Sequence, residues 1–425
     1  MKIIPYKLST TKELITSRSG LICLAELIDK INLSTMIDNI GRELKSNNAI
    51  KHSEYILSYV FALHAGADNL SDLSILTKDK ALMQILGFAR APTASAFGKW
   101  LKKNSESLIV DKLLSYLLEL SLGKCKKVTL DIDATYILSF NKDALYGYIG
   151  KGYMPMIGTI AETSQIIAID FREGNVAPSK DNHQFIKDCR DNLPKDIELG
   201  GVRIDAAGYQ HEIIDWLIDE KIDFAIRAKM HKSLREQVLD INKWDNDKTR
   251  IIHTMQDSKH SFELVIQRTL IDDGQLELCI SDETSENISC GRYIYRAIAT
   301  NSKKDNDALV AWYNQRADDS ENRIKDLKLD FGANKMPCKD FDANSLYINI
   351  CALAYNIFQV FKLVLPQEYN NSRLKKVSSF VYHNAAKIIS HARLIVVKVQ
   401  ESAIDVITTT IENIKKYDFK QHFLK

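Results

Sequence analysis

The chain has 425 residues, too long for one ordinary domain and long enough for two or three with cores of their own. A hydrophobic share of 45% and a charged share of 26%, with only 17 Gly and 7 Pro, exclude a disordered or low-complexity chain. The 57 Lys and Arg nearly cancel the 55 Asp and Glu, so a net charge of +2 excludes a global pull towards polyanions, and any nucleic-acid contact must come from local basic patches.

Residues 1–123 read as helical throughout, with apolar residues at helical spacing in Leu21 to Ile31, Tyr55 to Ala65 and Leu108 to Leu122. A first basic patch falls here: no acid occurs between Asp79 and Glu106, a stretch that holds Arg90, Lys99, Lys102 and Lys103. Thr93 or Ser95 is placed to cap a helix that turns Phe97, Trp100 and Leu101 inward and Lys99, Lys102 and Lys103 outward. With Leu82 to Phe88 before it, this helix reads equally as the DNA-entering half of a helix-turn-helix or as a capped core helix with a solvated lysine face. The whole segment is expected to bind DNA or to dimerise.

The pattern changes at Lys126, where Val128, Leu130 and Ile132 alternate with Thr129, Asp131 and Asp133 at the period of a half-buried strand. Further strands are expected at Met154 to Ala161, Gln165 to Phe171, Val202 to Ala206 and Ile222 to Ala228, with helices at Asn182 to Asn192 and His211 to Glu220. That order predicts an α/β fold, a mixed sheet flanked by helices, in two parts at 124–231 and 301–365. Residues 232–300 lean to strand and turn, apart from a helix near Leu234 to Ile241, and read as a β-rich insertion. Long helices are expected over Asp305 to Lys328 and Phe341 to Leu363. The run Leu346 to Leu365 raises a membrane span, but Asn349, Asn356, Gln359 and Lys362 interrupt it, and a buried core helix is the better reading.

Residues 366–425 form a basic region for DNA contact or dimerisation: no acid separates Glu368 from Glu401, whereas Arg373, Lys375, Lys376, Lys387, Arg393 and Lys398 do. Seven cysteines lie scattered without a C-x-x-C pair, and the Met1 end lacks a secretion signal, so a reduced cytoplasm is expected. Nothing in the chain suggests zinc or haem.

Asp133 and Asp205 each end an expected strand, where open sheets tend to bind ligands. An isolated strand-end Asp is more often a helix cap or a surface turn. A third element shifts that balance. If the chain is helical from Glu321 onward, Glu321, Lys325 and Lys328 share a face, one acid for a cation beside two bases for phosphates; a salt-bridged surface helix has the same make-up.

Taken together, the blocks Leu-Asp-Ile-Asp-Ala-Thr around Asp133, Arg-Ile-Asp-Ala-Ala-Gly around Asp205 and Tyr-Asn-Gln-Arg…Glu-Asn-Arg-Ile-Lys-Asp-Leu-Lys around Glu321 resemble the D, D and E blocks of the group 1 DDE transposases of bacterial insertion sequences. The similarity continues through Leu329-Asp330-Phe331-Gly332, Ala354-Tyr355-Asn356 and the basic tail around Arg393, and matches the helical start loosely. It implies a ribonuclease-H-like catalytic core with a β-rich insertion, in which Asp133, Asp205 and Glu321 are the catalytic acids and hold two Mg²⁺ ions, with Mn²⁺ as substitute. Tyr313, Arg316 and Lys328 then match the signature residues that handle the DNA end. The implied partner is double-stranded DNA, both the element's terminal inverted repeats and the target, held by a homodimer.

One departure stands in the third block. Four residues, Ala317 to Ser320, separate Arg316 from Glu321, one more than the family's usual spacing. On a continuous helix the extra residue turns Arg316 about 100° from its usual relation to the acid, unless a π-bulge or a late helix start absorbs it. Asp319 is then a substitute acid, although the spacing from Glu321 to Lys328 favours Glu321. Asp131 shares a strand face with Asp133 and reads as supporting or structural. The stretch Arg227 to Arg235 is a further candidate for phosphate contact, and Trp244 for holding a flipped base or, more simply, for packing. Two alternatives remain: a non-transposing nuclease on the same core, and a transposase-derived DNA-binding protein whose active site has decayed.

Overall fold

A computed structural model describes residues 7–43, 46, 49–106, 108–271, 277–280, 287–391 and 394–419. The chain opens with β1 (Leu14–Thr16) and helices α1 (Leu21–Lys30), α2 (Leu33–Ile40), α3 (His52–His64), α4 (Ser74–Thr77), α5 (Lys80–Ile85), α6 (Ala94–Asn104) and α7 (Asp111–Leu122). There follow β2 (Lys127–Ala134), β3 (Ile137–Leu138), β4 (Leu145–Tyr146), β5 (Lys151–Tyr153), β6 (Met156–Ile160), β7 (Gln165–Asp170), α8 (Asn182–Asp191), β8 (Glu198–Ile204), α9 (His211–Asp219), β9 (Asp223–Arg227) and α10 (Lys232–Leu239). The remainder is β10 (Lys248–His253), β11 (Phe262–Leu270), β12 (Glu277–Ile280), β13 (Ile288–Gly291), β14 (Tyr293–Thr300), α11 (Asn306–Asp330), α12 (Phe341–Lys362), α13 (Leu374–Val377), β15 (Ala386–His391), β16 (Leu394–Val399) and α14 (Glu401–Lys416).

These elements fall into two compact units, with divisions at Val110/Asp111, Leu327/Lys328, Ala333/Asn334 and Met336/Pro337. The first unit joins the amino-terminal helices to the carboxy-terminal region, two stretches that the sequence separates. Its axis is α12, which is buried along almost its whole length and packs against α3 and α6. Tyr59 and Tyr347 share a 2.6 Å hydroxyl contact at that seam, and Asn344 caps the approach to α12 through Cys338. The long apolar run is therefore a core helix, and among the described residues no helix is long and apolar enough to cross a membrane.

The amino-terminal segment is not helical throughout. β1 pairs antiparallel with β15, and β15 with β16, in a three-stranded sheet. A three-residue strand carries too little periodicity to be read locally; its partner decides it, and the backbone of Ser19 reaches Asn384, 365 residues away along the chain. Arg393 lies outside the described residues.

In the second unit, ten strands form one mixed sheet with the order β10-β11-β14-β9-β8-β2-β6-β7, and β12 and β13 attach beside β14. β2, β8 and β9 are parallel neighbours at its centre; the flanking pairs are antiparallel. Apolar side chains from β2, β6, β8 and β9 meet those of α8 and α9 in the main core, with Leu118 of α7. The stretch expected as an insertion does not stand apart. β14 pairs directly with β9, Ile298 opposite Arg227, so its strands continue the central sheet: an unpaired edge on β9 would expose a row of hydrogen-bonding groups. Cys290, on β13, is disulfide-bonded, a state that the reducing compartment expected from the cysteine spacing disfavours.

Candidate active site

The parallel pairing of β2 with β8 runs to Ile132 opposite Ile204, so the next residues, Asp133 and Asp205, leave the two strands side by side at their carboxy-terminal ends. Asp205 also begins a 3₁₀ turn and accepts a 2.9 Å hydrogen bond from the Ala207 amide, so its capping role and its place at the strand end coexist.

Between the two carboxylates lies the guanidinium of Arg316, from α11. Its Nη2 is 3.6 Å from Asp133 Oδ1 and 3.9 Å from Asp205 Oδ2, and its Nε and Nη2 donate to the carbonyl of Ile132 at 3.3 Å. Those ion pairs are too long for good hydrogen bonds, so they compensate the buried charge incompletely. Burial pushes the Asp133 carboxyl up to about 6; Arg316 opposes the shift and the neighbouring Asp205 adds to it.

Two residues back on β2, Asp131 sits in a different environment. It is fully buried and takes a bidentate pair from Arg203, Nε at 2.6 Å and Nη2 at 2.7 Å, and a third bond from Arg323 Nη1 at 2.9 Å. Arg203 lies directly opposite Asp131 in the β2–β8 register, and also donates to the carbonyl of Trp312. Arg323 reaches on to Thr159 and Ala161. These bonds fasten α11 to three strand segments. Gly201 of β8 makes room for the close approach, since a Cβ there would stand 2.8 Å from the Trp312 ring. Sequence reasoning missed Arg203 and Arg323; the available signal was opposite charges, Asp131 and Arg203, inside strands otherwise apolar enough to be buried.

α11 is an unbroken α-helix from Asn306 to Asp330, so neither a π-bulge nor a late start absorbs its extra residue. Tyr313, Arg316, Ser320, Arg323 and Leu327 are buried, following the helical period, and Glu321 and Lys325 are exposed. Ser320, not Glu321, therefore occupies the buried stripe one turn after Arg316, and its Oγ has no hydrogen-bond partner among the described residues. The structure brings Asp133, Asp205 and Arg316 together and leaves Glu321 outside that group. The side chain of Asp319 lies outside the described residues. Among the described residues no three His, Cys, Asp or Glu side chains are gathered to hold a metal ion. The aspartate pair, with one under-compensated carboxylate, suits an oxygen-seeking divalent cation; the third donor is what the arrangement lacks.

The other expected DNA contacts are dispersed. Tyr313 packs with Ala225, Val265, Ile298, Leu309 and Val310, and burial lowers the Lys328 pKa. Trp244 packs against the main core with Arg268 over its ring at 4.5 Å. α6 forms as the sequence indicates: Thr93 caps it by accepting from the Ala96 amide at 3.2 Å, Phe97, Trp100 and Leu101 are buried, and Lys99, Lys102 and Lys103 are exposed, Lys102 pairing with Asp340 at 3.3 Å. It packs on α12 while α5 packs on β1 and β15, so the two helices of the expected helix-turn-helix find their main partners apart.

A family model described as transposase DDE domain group 1 matches residues 6–417. No curated protein matches the sequence. Among solved structures, the chain is similar to a chain in the cryo-EM structure of the piggyBac transposase synaptic complex with hairpin DNA, at 11% identity and a TM-score of 0.45, over 98% of this chain and 85% of that one.

Proposed function

The chain belongs to the group 1 DDE transposases, and on that premise we propose that it cuts DNA at the ends of an insertion sequence and joins the freed ends to target DNA. The observation that carries this reading is the placement of Asp133 and Asp205 at adjacent parallel strand ends with Arg316 between them. In this proposal the central sheet is a ribonuclease-H-like core in which Asp133 and Asp205 would hold Mg²⁺, or Mn²⁺ in its place, and Glu321 would have to be brought to that pair to complete the set for two ions. When bound, such ions activate the attacking oxygen and stabilise the leaving oxygen of an in-line displacement. Arg316 keeps the aspartate pair partly neutralised in the free protein and is placed to meet a phosphate once cations take over that task. Lys325, with Lys99, Lys102 and Lys103 elsewhere in the chain, supplies exposed positive charge for the backbone of double-stranded DNA. A homodimer on DNA would hold both ends.

The test uses the full chain, labelled DNA carrying the element's terminal repeats, target DNA and Mg²⁺. Expected are nicked ends followed by joined product, both falling at least about a thousandfold in Asp133→Asn and Asp205→Asn. Cleavage without any joined product would make the protein a nuclease on the same core.

A second reading is favoured by one specific observation, the register of α11. With Ser320 on the buried stripe and Glu321 exposed, the chain reads as a transposase that binds element ends and cuts poorly. It predicts end binding without cleavage by the natural chain, and cleavage gained by Ser320→Glu, which moves a carboxylate onto the stripe that carries Arg316.

A further inference from the structure

The segment between Asp133 and β6 has no part in the site described above. β3, β5 and β4 form a small three-stranded sheet there, and six of the chain's large hydrophobics are exposed on it and its turns: Leu138, Phe140, Leu145, Tyr146, Tyr148 and Ile149. Phe140 is fully exposed, and Tyr146 and Tyr148 are 72% and 75% exposed. Scattered surface hydrophobics need no explanation, but a concentration of aromatic side chains on so short a segment does.

The segment is built, not loose. Tyr136, buried beneath it, donates to the Gly150 carbonyl at 2.6 Å and accepts from the Gly147 amide at 3.1 Å, and its ring meets Tyr148 edge-on at 5.1 Å. A Cβ at Gly147 or Gly152 would stand 2.6 to 2.7 Å from Tyr136, so these glycines let the turn close on that ring. Lys151 lies 5.3 Å from the centre of the Tyr146 ring and donates to the Lys142 carbonyl at 2.8 Å. Exposed rings interleaved with Lys142 and Lys151, on a fixed scaffold that starts directly after a carboxylate of the candidate site, offer stacking faces for bases and cations for phosphates.

We propose that this flap is a platform for unpaired bases of DNA next to the cleavage position, with Phe140, Tyr146 and Tyr148 as the stacking side chains. The occupant is single-stranded because the faces of paired bases are covered by their neighbours in the duplex. This proposal rests on the DNA-cutting reading above, and its test separates the two.

Binding of the full chain to fully paired element ends is compared with binding to the same ends carrying a few unpaired bases beside the cleavage position, with 2-aminopurine among those bases reporting stacking. The wild type should favour the unpaired form and quench the probe. Replacing Phe140, Tyr146 and Tyr148 together by Ala should remove that preference, roughly five- to a hundredfold per stacked base, with paired-end binding and circular dichroism unchanged. A wild type without preference or quenching, or a variant that keeps both, overturns the platform while leaving the transposase reading intact. Loss of self-association in the DNA-free variant, with the preference kept, would assign the surface to a second copy and also overturn it. Failure of the wild type to bind paired ends at all would instead count against the DNA-cutting reading.

Discussion

Asp131 and Asp133 occupy the same strand face, two residues apart, and both lie within the reach of arginines from α11. Asp131 is saturated by three short bonds from two guanidiniums and has no exposed surface. Asp133 retains 27% of its side-chain exposure, and its arginine is 3.6 Å away. A buried carboxylate that is fully matched fixes structure, and one left short of compensation retains a demand for positive charge. On β2 the first condition provides the second, since the clamp on Asp131 is what holds α11 and Arg316 in place.

The contrast is open to direct attack. The largest effect is expected from Asp131→Ala or Arg203→Ala, each of which strands a buried charge: a loss of about 3–5 kcal/mol in urea unfolding at constant m. A loss below about 1 kcal/mol would remove the clamp from the account. Gly201→Ala brings a methyl 2.8 Å from the Trp312 ring and should cost about 1–3 kcal/mol through overpacking, with cleavage falling as α11 shifts.

Asp133→Asn should act in the opposite direction. Because the folded carboxyl is raised to about 6, its ionised form is disfavoured in the native state. The penalty is absent below the unfolded value, grows as pH rises from about 4 to about 6, and stays constant above that. Measured in chelator, the substitution should leave stability unchanged near pH 3 and raise it by on the order of 3 kcal/mol at pH 8. A destabilised Asn variant at pH 8 would mean that Arg316 compensates Asp133 as fully as Asp131 is compensated. The smallest change in stability is expected from replacing Lys99, Lys102 and Lys103 by Gln, within about 0.5 kcal/mol, since the Lys102–Asp340 pair is largely exposed. If these lysines touch phosphates, the salt dependence of DNA binding should flatten by about one unit of slope for each; an unchanged slope marks a solvated face.

Much of this was legible in the sequence because it is local. The alternation through Val128, Leu130 and Ile132, the apolar spacing of α8 and α9 and the Thr93 cap of α6 each follow from a few neighbouring residues. The strand-end positions of Asp133 and Asp205 were equally readable, and parallel pairing then sets them side by side. The register of α11 was harder. Its charged residues outline the face Glu321-Lys325-Lys328, whereas the buried stripe includes two arginines whose partners lie on distant strands, Asp133 and Asp205 for Arg316 and Asp131 for Arg323. β1 shows the same dependence, as do the strands expected as an insertion: their pairing partners, not their own period, decide where they belong.

That dependence has a consequence for the order of events during synthesis. β1 leaves the ribosome long before its partner β15 is made. The first unit therefore has to wait, its amino-terminal helices without their central helix α12, while the second can gather its ten strands beforehand. A chain interrupted before α12 would carry an orphaned helical half with exposed apolar faces, a natural substrate for holding chaperones and proteases. Only translation that runs past β15 yields a protein with both units folded.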